Sequence, residues 1–398
     1  MQHAVLNRAT IEAANATEVS GRETADEVNL QRIHNRIRKV CAFLATLIPS
    51  SLRWMLMFAV LIVPQVLWGA ASAPATPQPT PQTWFATVGA QSNDKGRQAL
   101  AFLPNEIWIH AGDSITWRFD ADDVHTVTFL TATQPRPDFT TLLPPFPNPA
   151  TFDGSTFVTT PLLVKGTGNE TTFTVIFPTA GNFKQVCLVH ERMTGTVHVL
   201  DASETLPHDQ DFYDRQAADQ RRDLLSDRDG RIEEAGRQHG DQREHHHSID
   251  AHVVTVGVGE ISATAGGSQT LSVVRFIDDK IYIYAGQTVE WNNHDPVTPH
   301  TVTFGTEPAD ILGPPSKNVT VDADGALHAT ISSLPADSVH SGLIVAPPQE
   351  LIGQNFPLGV TRFRVTFTQA GTFPYICALH DNLGMKGTVI VFPKVPPQ

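Results

Sequence analysis

Apolar and polar residues alternate along two long stretches of the chain, 84–200 and 251–398. Isoleucine, valine and phenylalanine occupy every second position in runs such as Ile107–Ile109 and Phe173–Phe177. A period of two, with β-branched and aromatic residues on one face, indicates half-buried β-strands. Short turn sequences containing Ala-Gly separate these runs. Many short strands at this spacing predict an all-β fold of the sandwich or barrel type.

The two stretches are copies of one another. Ile107–Trp117 reads IWIHAGDSITW, and Ile281–Trp291 reads IYIYAGQTVEW. The sequence His-Thr-Val-Thr-Phe follows in both, beginning at His125 and at His300. Each copy then contains Ala-Gly-x-Phe-x3-Cys and closes with Met-x-Gly-Thr-Val-x-Val. Two copies with a long period indicate duplicated domains rather than a solenoid, so we predict two such β domains in tandem.

The residues before the first domain follow a different pattern. A polar extension, 1–39, ends in a basic cluster, and the largely apolar segment 40–73 ends in small residues. This order is typical of a secretory signal, whereas the uncharged helix predicted at 54–71 is also just long enough to anchor the chain in a membrane. Both alternatives predict an extracytoplasmic protein, whether periplasmic, cell-surface or secreted. Alternating prolines in 74–83 predict a stiff, extended spacer.

The segment between the domains, 201–250, is strongly acidic. It contains 14 acidic and 7 basic residues and few apolar ones. Tyr213, Ala217 and Leu224 share one face of a potential helix, but this apolar stripe is thin. We interpret the segment as an acidic, partly helical linker, with a partner-binding helix as the alternative. The cluster His245–His247 is read as part of a solvated loop, with weak metal capture as the alternative.

Composition and charge exclude several classes of protein. The chain of 398 residues has a net charge of −13, so it lacks the overall basic character expected of a nucleic-acid-binding protein. Three cysteines are too few for a disulfide scaffold or a zinc-finger array. Cys41 lies in the apolar N-terminal segment and is read as an ordinary residue of it. Cys187 and Cys377 remain, one in each domain.

Each of these two cysteines begins a short motif. The first domain has C-x2-H-x2-M and the second has C-x2-H-x4-M, and each has a further histidine upstream. One thiolate, two imidazoles and one thioether are the donors of a blue-copper electron-transfer site. A single motif is a weak signal, but it occurs twice and uses the only methionines after residue 57. The candidate ligands are His125, Cys187, His190 and Met193 in the first domain, and His300, Cys377, His380 and Met385 in the second.

The spacing also predicts where these side chains lie. A short loop between the last two strands brings the Cys, the second His and the Met together, and a neighbouring strand supplies the first His. We expect the strand histidine to be buried and the loop histidine to point outward, where it offers an exit for electrons. His300 is preferred over the nearby His294 because it occupies the position that the repeat shares.

These motifs and their flanks resemble two cupredoxin domains of the plastocyanin/azurin family. The first loop is similar to that of amicyanin, and the second to those of plastocyanin and pseudoazurin. The resemblance implies Greek-key β-sandwiches, one type-1 copper ion per domain held by the residues named above, and one-electron transport outside the cytoplasm. Many family members have Asn after the first histidine, whereas this chain has Thr126 and Thr301, which changes the expected hydrogen bonding around the metal.

The main rival is a copper enzyme such as a nitrite reductase or a laccase. Those enzymes need further histidines, commonly one beside the type-1 cysteine, but Cys187 is flanked by Val186 and Leu188. We therefore predict an electron carrier rather than an enzyme, with copper storage, delivery or sensing as the alternative. Its expected partners are an electron donor and an electron acceptor protein. Whether electrons pass between the two sites stays open at this point.

Overall fold

The structure is a computed structural model that describes residues 80–137, 147–166, 171–226, 251–347 and 360–394. The predicted apolar segment 40–73 and the cluster His245–His247 lie outside these residues. No helix within the described part of the chain is long and apolar enough to cross a membrane. Apart from one α-helix and one 3-10 turn, the regular structure described is β, which confirms the predicted all-β class.

Each domain is built from short strands. Those of the first domain are β1 (Thr83–Gln91), β2 (Arg97–Leu103), β3 (Glu106–His110), β4 (Ser114–Phe119), β5 (Thr128–Phe129), β6 (Ala150–Thr151), β7 (Val158–Thr159), β8 (Thr172–Ile176), β9 (Gly181–Val186) and β10 (Thr194–Leu200). Those of the second domain are β11 (Ala251–Thr264), β12 (Gly267–Ile277), β13 (Lys280–Tyr284), β14 (Thr288–His294), β15 (Thr303–Phe304), β16 (Thr320–Val321), β17 (Leu327–Ile331), β18 (Val339–His340), β19 (Arg362–Phe367), β20 (Gly371–Ile376) and β21 (Lys386–Phe392). The helix α1 (Gln210–Leu225) lies between the domains in the sequence, and the 3-10 turn spans Asp381–Leu383.

The strands of the two domains follow the same plan. The sheet β3-β10-β9-β5-β7 corresponds to the sheet β13-β21-β20-β15-β18. Each of these packs against half of one long sheet, ordered β16-β17-β19-β14-β11-β12-β2-β1-β4-β8-β6. Alternate side chains of both layers point inward, and Trp117 and Trp291 lie fully buried at equivalent positions of the two cores. Each domain is therefore a two-layer β-sandwich.

The long sheet is continuous because β2 and β12 pair with each other. They are antiparallel, in a register that runs from Leu100 opposite Thr270 to Arg97 opposite Val273. Each strand would otherwise expose a row of unpaired N–H and C=O groups at a sheet edge. The acidic linker allowed either independent or packed domains, and the structure shows that they are packed through this shared sheet.

The helix α1 covers one side of this joint. Asp209 caps its N-terminus by accepting a hydrogen bond from the backbone N–H of Phe212 at 2.9 Å. Tyr213 joins the core of the first domain, and Leu224 packs on the small residues Ala90 and Ala99. The thin apolar face of α1 is therefore buried against the sheet of the first domain. The small alanine side chains of that sheet let the helix approach closely.

The two domains differ at one cross-strand pair. In the second domain, Arg364 donates to Glu290 at 2.6 Å, and both side chains are buried. The equivalent pair of strands in the first domain carries Thr116 and Thr174, whose hydroxyls lie 2.8 Å apart. A buried ion pair and a neutral hydrogen bond thus occupy matching places.

We expect Arg364→Thr to lower the free energy of unfolding by about 3–5 kcal/mol, because it removes the closest cation from the buried Glu290 carboxylate, which keeps only the Asn292 amide at 3.1 Å and Arg362 at 3.8 Å. The double variant Arg364→Thr/Glu290→Thr recreates the neutral pair of the first domain. It should recover the part of the loss that comes from Glu290, whereas the bonds of Arg364 to Asp322 and Asp324 stay lost. Urea unfolding of the full chain measures both. Equal destabilisation by the single and double variants would contradict the explanation, since the unpaired charge would then not be the cause.

Candidate metal centres

The two ligand loops close with the same backbone bond. The N–H of Cys187 donates to the carbonyl of Met193 at 3.0 Å, and that of Cys377 donates to the carbonyl of Met385 at 3.1 Å. The second loop is two residues longer, and the 3-10 turn Asp381–Leu383 takes up the difference. Both methionines are fully buried. Each loop therefore keeps its Cys, His and Met at one end of its sandwich despite the different spacing.

The remaining histidine of each site precedes a short strand, β5 or β15, that pairs with the strand leading to the cysteine in the same sheet. His125 forms an isolated β-bridge with Leu163, and His300 forms one with Ile344. In both cases two backbone hydrogen bonds fix the residue just before a short strand. The imidazole is therefore positioned by the main chain and does not depend on a flexible loop.

Three donor atoms converge in the first domain. The Nδ1 atoms of His125 and His190 are 3.2 Å apart. The Sγ of Cys187 lies 4.0 Å from the first and 3.7 Å from the second. The three side chains are buried.

The second domain repeats this arrangement. The Nδ1 atoms of His300 and His380 are 3.1 Å apart, and the Sγ of Cys377 lies 3.9 Å and 3.3 Å from them. His294, at the end of β14, is not in this converging group. His300, which occupies the position that the two repeats share, is thus the histidine whose imidazole lies near Cys377.

The donor set fits copper. Two imidazole nitrogens and one sulfur face a single point in each domain, and all three atoms lie within 4.8 Å of one another. Such a close group of lone pairs suits a cation bound between them. Nitrogen and thiolate donors of this kind, together with a nearby thioether, are typical of blue copper. The two groups are two copper sites, one in each domain.

The surroundings also favour the thiolate form that binds a metal. Burial opposes ionisation of Cys187, but hydrogen bonds to His125 and His190 outweigh it and hold the pKa of the thiol well below its usual value. Burial likewise opposes ionisation of Cys377, and the charge on His380 and the hydrogen bond to His300 lower its pKa in the same way.

The threonines that replace the familiar asparagine take part in both sites. The N–H of Thr126 donates to the Sγ of Cys187 at 3.5 Å, and that of Thr301 donates to the Sγ of Cys377 at 3.3 Å. Each threonine hydroxyl accepts the N–H that follows the cysteine, at 2.8 Å. Only Thr301 also places its hydroxyl 3.8 Å from the sulfur. The hydrogen bonding of the sulfur, which tunes the reduction potential of a copper site, therefore differs between the two domains.

The expectation that the loop histidines point outward is wrong. His190 is 1% exposed and His380 is 4% exposed. The Nε2 of His190 lies 3.4 Å from a carboxylate oxygen of Asp123, which is itself buried. The expectation assumed a single domain in water, whereas here the other domain lies against this end of the sandwich.

Sequence reasoning missed two glycines that shape the sites. Gly89 and Gly257 lie in irregularities of β1 and β11, with φ of +68° and +64°. A Cβ added to Gly89 would come within 2.5 Å of the Nε2 of His125, and one added to Gly257 would contact His300. The repeated tripeptide Thr-Val-Gly, ending at Gly89 and at Gly257, is a signal that could have revealed them.

Comparisons with known proteins give one family match and several similar solved structures. Residues 263–392 match the model of the copper-binding proteins of the plastocyanin/azurin family. Similar solved structures include an amicyanin mutant in the Cu(I) form, with 19% identity over 36% of this chain and 82% of the other, and a TM-score of 0.20. The oxidised plastocyanin of Dryopteris crassirhizoma has 20% identity over 35% and 99%, with a TM-score of 0.19. A purple cupredoxin from Nitrosopumilus maritimus has 19% identity over 35% and 98%, with a TM-score of 0.19.

The family model covers most of the second domain, and its matched range includes all four candidate ligands of that domain, His300, Cys377, His380 and Met385. The first domain has the same strand order and a second His–Cys–His group. Residues 263–392 of the second domain therefore match the plastocyanin/azurin family of copper-binding proteins, and the first domain repeats the strand order and the His–Cys–His group of the second.

Proposed function

We propose that the chain is an exported electron carrier with one mononuclear type-1 copper site in each domain. The observation that carries this proposal is the pair of buried His–Cys–His groups, each closed by a backbone bond between its cysteine and a buried methionine. Met193 and Met385 are proposed as the weak axial ligands. Copper held there would supply a one-electron couple between Cu(I) and Cu(II).

The protein's contribution is a fixed set of donors. The ligands are buried, and backbone hydrogen bonds hold both the cysteine loops and the upstream histidines. A rigid site of this kind changes little when it gains or loses an electron, which is what an electron carrier needs. Neither storage nor delivery of copper needs such a constrained set of four donors.

The deciding experiment is a copper count with visible and EPR spectra on the purified full chain. We expect two copper ions per chain, an intense blue colour and a reversible potential for each site. Rapid exchange of copper with a chelator would favour storage or delivery. Unaided reduction of nitrite or oxygen at a useful rate would make the protein an enzyme and would overturn the proposal.

Export and partner choice are parts of the same proposal. The segment 40–73 is proposed as a cleaved signal or, through 54–71, as a membrane anchor, and N-terminal sequencing of the protein from fractionated cells tests this. From residue 74 onward the chain has 21 basic and 36 acidic residues, a net charge of −15. This charge supports redox partners with basic docking patches, whose association weakens as salt is added.

A further inference from the structure

The two loop histidines are buried at the interface between the domains, with 1% of His190 and 4% of His380 exposed. The loop before His300 explains how the first site is covered. Val297 in that loop is buried within the apolar core cluster of the first domain. Its neighbour Asp295 accepts hydrogen bonds from the N–H of Thr298 at 2.9 Å and from the hydroxyl of Ser272. Ser272 belongs to β12 and pairs with Gln98 of β2, so this loop is fixed to the strands that join the domains.

Buried groups of the two domains meet near the sites. The Nε2 of His190 lies 3.4 Å from a carboxylate oxygen of Asp123, and both side chains are buried. The Nε2 of His300 lies 3.8 Å from a carboxylate oxygen of Asp295, in the loop that carries Val297. Val297 lies in the core cluster of the first domain together with Cys187 and Met193. The loop that leads into the second site therefore packs into the core that holds the first.

Each ligand loop is also held by strands of the joint. The hydroxyl of Ser268, on β12, donates to the carbonyl of Arg192 in the first ligand loop at 2.6 Å. Arg275, also on β12, donates to the carbonyl of Leu383 in the second ligand loop at 2.8 Å and to that of Asp94 in the first domain at 2.6 Å. A movement of one domain relative to the other would therefore disturb both loops.

From this arrangement we propose that the two copper sites exchange electrons with each other across the domain interface, through His190 and His380, and that neither histidine is a docking point for an external protein. The proposal rests on the proposed function. One electron leaves one site and enters the other, so the oxidation of the first balances the reduction of the second. No proton, oxidant or further reactant takes part in this exchange.

The first test compares EPR spectra of the fully oxidised, copper-loaded chain with those of Cys187→Ser and Cys377→Ser, which each keep one type-1 site. Two nearby Cu(II) spins broaden and relax one another, so the spectrum of the intact chain should differ from the sum of the two variant spectra. A spectrum equal to that sum would overturn the inference while leaving two blue sites, and therefore the proposed function, in place. Loss of blue copper from the unaltered chain would instead contradict the proposed function itself.

The second test follows electrons directly. The oxidised chain receives half an equivalent of reductant, and rapid-freeze EPR monitors how the electrons distribute between the sites. Exchange within the chain proceeds at a rate that stays the same on about ten-fold dilution, whereas exchange between molecules slows about ten-fold because it is bimolecular. A rate that falls with dilution would overturn the inference.

The third test removes the contact that covers the first site. Val297→Asp places a charge in the core of the first domain, and Val297→Ile is the matched apolar control. We expect the aspartate variant to lose the inter-site EPR signal with both blue sites retained, and the isoleucine variant to keep it. If the Val297→Asp protein keeps both blue sites and also keeps the full inter-site EPR signal, the proposed route through this interface is contradicted. If Val297→Asp does not fold, the dilution experiment on the unaltered chain still decides the question.

Discussion

Cys187→Ser is expected to remove one blue copper site from the chain and to leave the other unchanged. A serine hydroxyl stays protonated at neutral pH and supplies neither the charge nor the soft sulfur that the site requires. The variant should retain one copper ion with type-1 spectra, bound at Cys377, and should lose about half of the blue absorbance. Cys377→Ser should give the complementary result. Copper analysis and visible spectra of the two purified variants measure the effect.

Cys41→Ser is the matched control for these two variants. Cys41 is the third cysteine of the chain and lies in the apolar N-terminal segment, so its replacement should leave copper content and colour unaltered. If Cys187→Ser abolished the colour of both sites, the domains would not bind copper independently. If it left the colour intact, Cys187 would not be a ligand, and the first site would need a different explanation.

The structure brings together the donors that the sequence selected, for a reason that can be stated residue by residue. Cys187 and His190 are three residues apart, so a single tight turn is enough to bring them together. His125 and His300 are distant from their cysteines, but the repeat marks them as the histidines before Thr-Val-Thr-Phe. Each is followed by a short strand that pairs with the strand leading to the cysteine. Local spacing and duplication therefore predict most of each site.

The environment of the sites depends on contacts that no local pattern contains. Val297, more than 100 residues from His190 and in the other domain, lies in the core cluster that holds Cys187 and Met193. The pairing of β2 with β12 is equally invisible, because the sequence of a strand does not tell which strand of another domain it pairs with. No local sequence pattern marks Asp123 and Asp295, yet both carboxylates are buried. The sequence therefore predicted the individual domains better than their assembly.

Gly89→Ala and Gly257→Ala should each weaken copper binding at one site only. Alanine at a positive φ costs about 1–2 kcal/mol of backbone strain, and here the new methyl group also meets an imidazole. At Gly89 it would lie 2.5 Å from the Nε2 of His125 and 2.8 Å from the Cβ of Ala121. The Nδ1 of the same ring faces the Sγ of Cys187, so a ring displaced by this methyl group leaves its position among the donors.

We expect copper affinity to fall at least about ten-fold at the altered site, which corresponds to about 1.4 kcal/mol. Competitive titration with a chelator measures the affinity, and the visible spectrum shows which site has changed. Gly286→Ala separates crowding from strain, because Gly286 has φ of +94° but nothing within 4 Å of its added Cβ. This control should lose stability and keep both copper affinities. If Gly286→Ala weakened copper binding as much as Gly257→Ala, backbone strain would account for the effect, and the glycines would have no part in positioning the histidines.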